Sequence, residues 1–217
     1  MSTTTVPWII LLSPLAAAVV ILFVGRFSKP LSAGVAIGSA AFVCVLSWWL
    51  FAQPDPTESL KYYWMDFGAA LRIPIGVTVD HLSKGMLVVV TTIATLVFTY
   101  SIGYMKTEEG YWRYFAGLAL FLFSMLGIVL ADNFVMMFIF WELVGLSSYI
   151  LIGHYFKKDS AADAAKQAFI VNRVGDFGFL LGILFLWAAT GTLMFGDLIR
   201  NVEGGGFALH PIYLTVA

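Results

Sequence analysis

Two stretches decide how this chain is read. The first is Phe134-Val-Met-Met-Phe-Ile-Phe-Trp141-Glu142-Leu-Val-Gly145-Leu-Ser-Ser-Tyr149-Ile-Leu-Ile-Gly153. The second is Ala168-Phe-Ile-Val-Asn172-Arg173-Val-Gly175-Asp176-Phe-Gly178-Phe-Leu-Leu-Gly182-Ile-Leu-Phe185. Each belongs to a segment apolar enough to cross a membrane, and each carries ionisable groups near its middle. At a helical rise of 1.5 Å per residue, Glu142 lies about 12 Å into its segment, near the centre of a hydrocarbon core about 30 Å thick. A carboxylate at that depth costs about 2.5 kcal/mol or more on insertion scales. Charge placed there against such a cost points to function.

Composition supports the membrane reading. The chain is 60% hydrophobic and only 12% charged, with a mean hydropathy of +0.90, which excludes an ordinary soluble domain. A net charge of −1 with no basic run argues against a nucleic-acid partner. The single cysteine, Cys44, lies in an apolar segment, so neither an internal disulfide nor a paired-cysteine metal or redox site is available.

Working outward, six spans are expected, near residues 6–25, 31–51, 81–104, 114–130, 134–155 and 160–187, with residues 211–217 as the start of a seventh. The fold class is therefore an all-α polytopic membrane protein with one β-hairpin between helices two and three. The organisation divides into two N-terminal helices (1–59), the hairpin (60–79), a four-helix core (80–190), and a loop leading into a further helix (191–217). The hairpin is read from strict alternation: Leu71, Ile73, Ile75, Val77 and Val79 interleave with Arg72, Pro74, Gly76 and Thr78, and Asp66-Phe67-Gly68 supplies a turn. Three local pairings are expected. Asp132 caps the fifth helix, Ser160 and Asp163 form a capping box for the sixth, and Asp80 pairs with Lys84 at i,i+4. No Lys or Arg precedes the first span, so it is not a signal peptide.

Basic residues fall unevenly among the loops. One set of alternate loops holds Arg26, Lys29, Lys106, Arg113, Lys157, Lys158 and Lys166, seven in all, while the other holds three, Lys61, Arg72 and Arg200. By the positive-inside rule the N-terminus is outside and the hairpin is on the outer face.

On a helical wheel Glu142, Gly145, Leu146, Tyr149 and Gly153 share one stripe, and Trp141 points elsewhere. On the sixth helix Asn172, Arg173 and Asp176 form a polar patch, with Arg173 and Asp176 spaced to pair. Gly175, Gly178 and Gly182 lie opposite, on a face that a second helix could approach closely. The plain structural reading is a neutralised pair fixing helix register. An acid at similar depth on the neighbouring helix favours a proton relay, since desolvation and a nearby cation pull a carboxyl in opposite directions. His154, at the end of the fifth helix, is read either as an interfacial histidine favourable to the helix dipole or as a point where protons are admitted. No metal constellation, nucleophile triad or phosphate loop is present in the sequence.

Asp80-His-Leu-Ser83, Ser124-Met-Leu-Gly-Ile-Val-Leu-Ala-Asp-Asn133, the Trp141-Glu142-Leu-Val-Gly145 block and Asn172-Arg173-Val-Gly-Asp176 together resemble the large antiporter-like subunit L of proton-pumping NADH:quinone oxidoreductase, respiratory complex I. The Trp-Glu-Leu-Val-Gly block alone is shared with Mrp-type sodium/proton antiporters. The resemblance implies a proton half-channel with Glu142, Asp176 and Arg173 as its working residues, Glu142 tuning a lysine on a seventh helix. It implies no cofactor in this chain, with NADH, flavin, iron–sulfur clusters and quinone handled by partner subunits, so that the enzyme is the assembly. It further implies complex I membrane subunits as partners, chiefly a neighbouring antiporter-like subunit, and a bacterial inner-membrane location. An antiporter subunit or a structural membrane module are the alternatives.

Overall fold

The computed structural model describes residues 4–54, 61–66 and 72–203. Its elements run α1 (Val6–Phe23), α2 (Lys29–Phe51), β1 (Lys61–Asp66), β2 (Arg72–Gly76), α3 (His81–Tyr104), α4 (Tyr111–Leu130), α5 (Phe134–Ile152), α6 (Asp159–Thr190) and α7 (Phe195–Glu203). Short 3-10 turns follow α1 and α5. All six expected spans are present as helices long and apolar enough to cross a membrane. The start of a seventh span and the triple-glycine stretch lie outside the described residues, as does the Phe67-Gly68 turn of the hairpin.

α4 is the hub. It packs on α1, α2, α3 and α5, and 56% of its most apolar window is buried, against 11% for α6. Small residues on α4, Ala116, Gly117, Ala119 and Ser124, let its neighbours approach. The tightest approach is at Gly127, where an added Cβ would fall inside the Phe140 ring of α5. Phe123 closes over the same ring edge-on at 5.2 Å. Close packing was expected instead at the α6 glycines; a Cβ at Gly175 or Gly178 would meet nothing within 4 Å. α6 packs against α5 and the turn after it, so its glycine face is open among the described residues.

The hairpin forms as the alternation requires. β1 and β2 are antiparallel, with a register shift between Tyr63 and Met65, and Ile73, Val77 and Val79 turn into the core. Beyond β2 the chain is stitched to the end of α4: the Thr78 N–H donates to the Leu130 carbonyl at 2.9 Å, and Val77 bridges to Ala131.

Several helix ends differ from expectation. The cap of α5 is Asn133, whose side-chain oxygen accepts from the Met136 N–H at 2.8 Å, while Asp132 accepts from the Asn133 amide at 2.6 Å. Asn133 is favoured because the same amide also donates to the Pro74 carbonyl at 2.9 Å, a bond that no carboxylate could make. α6 begins one residue ahead of Ser160, with Lys158 at the cap position and no side-chain cap bond. The acidic Asp159 in the first turn complements the helix dipole there. α4 begins three residues early because Gly110, at φ 73°, ends the preceding turn. α2 opens with Pro30 in its first turn. The left-handed Gly191 ends α6 at Thr190, later than expected. The expected loop after residue 191 contains α7 instead.

The Asp80–Lys84 ion pair is not among the described contacts. Asp80 caps α3, accepting from the Ser83 N–H at 2.7 Å. Partial burial pushes its carboxyl up, but the Ser83 and neighbouring backbone bonds outweigh this and hold it below the usual range. Lys84 is almost wholly buried and donates to the Gln53 carbonyl at 2.6 Å, a cation at the negative end of α2.

Two changes check these contacts. Gly127→Ala must displace the Phe140 ring, and is expected to cost about 1–3 kcal/mol, read as a lowered unfolding midpoint that Phe140→Leu partly restores. Asn133→Ala should lose about 2 kcal/mol, from a helix cap together with a buried carbonyl left without its donor.

Candidate functional site

α5 and α6 are joined by a short turn and run antiparallel, so the middle of one faces the middle of the other. Their contact is zipped by aromatic rings. Phe179 of α6 sits edge-on to both Phe138 at 5.8 Å and Trp141 at 5.7 Å, and Tyr149 packs on Phe169 at 5.5 Å. Such pairs add about 0.5–1.5 kcal/mol each beyond the area they bury. They fix the rotation of the two helices, and this places the charges.

Between the rings lies a network of four side chains. The Arg173 guanidinium donates to the Glu142 carboxylate across the helix interface. The same nitrogen lies 3.9 Å from Asp176, one turn along α6. The Trp141 indole N–H donates to the other Asp176 oxygen at 2.8 Å. Asp176 is the most enclosed of the ionisable members, its side chain 8% exposed, against 22% for Glu142 and 48% for Arg173. The Phe169 ring lies 4.9 Å beneath the guanidinium, adding a cation–π contact that steadies it.

All three expected site residues, Glu142, Arg173 and Asp176, are thus brought together. The pairing differs from expectation in two respects. Arg173 reaches across to Glu142 as well as along its own helix to Asp176. Trp141, placed away from the charges by the helical wheel, is the hydrogen-bond donor that holds Asp176. A polar handle on a mid-membrane tryptophan was the signal available, since a buried indole N–H usually finds an acceptor. Asn172, grouped with the charges by spacing, is exposed and takes no part.

With all groups ionised the network holds two negative charges and one positive. A single cation between two acids can serve either, so the arrangement can hold, pass or release a proton as the cation's position changes. Among the described residues no three His, Cys, Asp or Glu side chains gather in a way that would hold a metal ion.

A bundle of six membrane-length helices with an acid–base network between α5 and α6 defines a polytopic membrane module, and the family comparisons give its class as antiporter-like. Residues 64–115 match the N-terminal region of chain 5 of NADH-ubiquinone oxidoreductase (complex I), and residues 131–216 match the transmembrane domain of NADH:quinone oxidoreductases and Mrp antiporters. The chain belongs to the family of antiporter-like chain 5 subunits of NAD(P)H-quinone oxidoreductases. It is 45% identical over 168 residues to chain 5 from Synechocystis sp. (77% of this chain, 24% of the relative). It is 40% identical over 211 residues to chain 5 from Picosynechococcus sp. (92% and 32%). The chain therefore spans about a quarter to a third of the length of these relatives. Among solved structures, the archaeal membrane-bound sulfane sulfur reductase superposes with a TM-score of 0.79 at 21% identity, covering 99% of this chain and 42% of that one. The Mrp complex from Dietzia sp. gives 0.74 at 24% identity, covering 100% and 22%. At these identities the likeness is one of fold.

The network predicts non-additive mutations. Arg173→Gln leaves two acids without their cation, and should cost about 3 kcal/mol, discounted for the exposed half of the guanidinium. Adding Glu142→Gln should restore part of that loss in a double-mutant cycle on thermal stability. Trp141→Phe keeps the ring contacts but removes the Asp176 bond, and should cost about 1.5–3 kcal/mol.

Proposed function

We propose that this chain supplies part of a proton half-channel in a proton-translocating NADH:quinone oxidoreductase. The observation that carries this reading is the Glu142–Arg173–Asp176 network, formed across two helices at mid-membrane depth. Structural ion pairs need one acid for one base; here a second acid competes for the same guanidinium. A carboxylate in hydrocarbon holds a proton when its cation is away and releases it when the cation returns. Movement of Arg173 between Glu142 and Asp176 would exchange a proton between them without moving either helix. Glu142 and Asp176 are the relay groups, and Trp141 keeps Asp176 in place.

Electron transfer from NADH through flavin and iron–sulfur clusters to quinone belongs to partner subunits, and the enzyme is the assembly. The partners in this reading are the other membrane subunits, above all a second antiporter-like subunit against the hairpin.

The distribution of charge supports one orientation. Lys29 donates to the carbonyls of Lys106 and Glu108 at 3.1 and 3.5 Å, and Lys157 pairs with Glu109 at 2.8 Å, so three basic loops meet at one end of the bundle. The hairpin, the α4–α5 turn and α7 meet at the other. A bacterial inner membrane with the basic end in the cytoplasm and the N-terminus outside satisfies the positive-inside rule.

The family description also covers Mrp antiporters, so a sodium/proton antiporter subunit is the second reading. Glu142→Gln in the complete assembled complex separates the two. Assembly should be normal, and proton pumping per NADH oxidised should fall about tenfold or more. Sodium-driven proton flux that needs no NADH would favour the antiporter. Lost stability with unchanged flux would leave only a structural module.

A further inference from the structure

Away from the charge network, a cavity of about 230 Å³ opens at the basic end of the bundle, between the start of α4, the end of α5 and the start of α6. Its polar lining comes from Arg113, Tyr114, Tyr149, His154 and Lys166, and its apolar wall includes Leu151 and Phe156. We propose that this cavity holds the phosphate headgroup of an anionic phospholipid.

Four observations carry the proposal. The first is charge. Two cations line the cavity and no carboxylate does. Asp163 meets Lys166 outside the lining at 3.4 Å, and Glu109 is engaged by Lys157. Glu109 and Glu108 act on Arg113 and His154 from outside the lining, so the preference for an anion rests on the two cations that face the cavity itself. The second is an unmet polar atom: Nε2 of His154 is closed off from solvent and has no hydrogen-bond partner. Its ring is held edge-on between Tyr114 at 5.5 Å and Tyr155 at 5.1 Å, so it cannot easily swing away to water. A phosphate oxygen would satisfy it once the bound headgroup parts the cavity wall over Nε2.

The third observation is position. Arg113, His154 and Lys166 all sit near the ends of spanning helices, at the level where headgroups lie, and Tyr114 and Tyr149 are the aromatic residues that favour this zone. The fourth is the mixed lining, cationic on one side and apolar on the other, which suits a phosphodiester with its glycerol rather than a free inorganic ion. Basic pockets between transmembrane helices bind acidic headgroups by this combination. Arg113 is steadied for the task by stacking on Phe156 at 5.0 Å. The proposal rests on the membrane-spanning fold and is independent of the pumping reading.

The test uses the full-length subunit in its assembled complex, with a photoactivatable phosphatidylglycerol whose reactive group sits beside the headgroup. Crosslinks are expected in the peptides carrying Arg113 and Lys166. Unlabelled phosphatidylglycerol should compete, and phosphatidylcholine should not. Lys166→Gln changes an exposed side chain and should fold normally, and it should lower labelling about fivefold. Arg113→Gln combined with it should lower labelling further, whereas Arg26→Gln, in a different loop, should leave it unchanged. Unchanged labelling in Lys166→Gln, or equal competition by phosphatidylcholine, overturns the proposal. So does full displacement by millimolar inorganic phosphate, which would make the cavity a site for free anions.

Discussion

One guanidinium shared by two carboxylates is the constraint on which this structure turns. Arg173 cannot satisfy Glu142 and Asp176 equally, and neither acid can be left bare in hydrocarbon. The rest of the bundle sets the terms of that competition. Trp141 ties Asp176 to α5, and the Phe169 ring supports the guanidinium from below. The ring contacts of Phe138, Trp141 and Phe179 stop α6 from rotating its charges away. The α4–α5 interlock at Gly127 and Phe140 then anchors α5 to the most deeply buried helix. Packing order runs from α4 outward and ends at the shared guanidinium.

The hairpin end shows a second kind of order, made by backbone rather than charge. Around Asp132 and Asn133 the chain pairs with two distant segments: β2 through Pro74, and the start of α7 through Leu193 and Phe195. Each bond satisfies a polar group that a short turn between two buried helices would otherwise leave unmet. The hairpin is thereby joined to the cap residue of α5, the helix that carries Glu142. The opposite end relies on lysine side chains reaching loop carbonyls and carboxylates, contacts that are more exposed and weaker.

Much of this was legible in the sequence. Span number, hairpin and the three charged residues follow from hydropathy, alternation and depth, all properties of a single element. What escaped were relations between elements. A helical wheel places Trp141 relative to Glu142 but says nothing of how α5 is rotated against α6, so its bond to Asp176 could not be read. Asp132 and Asn133 are both good caps, and the choice between them was made by the Pro74 carbonyl, far away in sequence. The α6 glycines resemble a packing face, whereas the close approach occurs at Gly127, marked only by the small residue Ala131 one turn on. α7 carries Phe195, Leu198, Ile199 and Val202 at the i, i+3, i+4 and i+7 spacing of an amphipathic helix, a signal that the glycines on either side of it obscured.

The cross-helix pair has a consequence for how the protein is made. Arg173 alone at the centre of a bilayer would oppose its own helix's insertion by about 2.5–3.5 kcal/mol, and Glu142 faces a similar barrier. Residues 153–158 are all that separate α5 from α6, so the two can leave the translocon together as a helical hairpin with their charges already joined. Biogenesis then favours insertion of the pair over either helix singly. A substitution at Arg173 would be felt first as a kinetic fault at the ribosome-bound channel, before any complex is assembled.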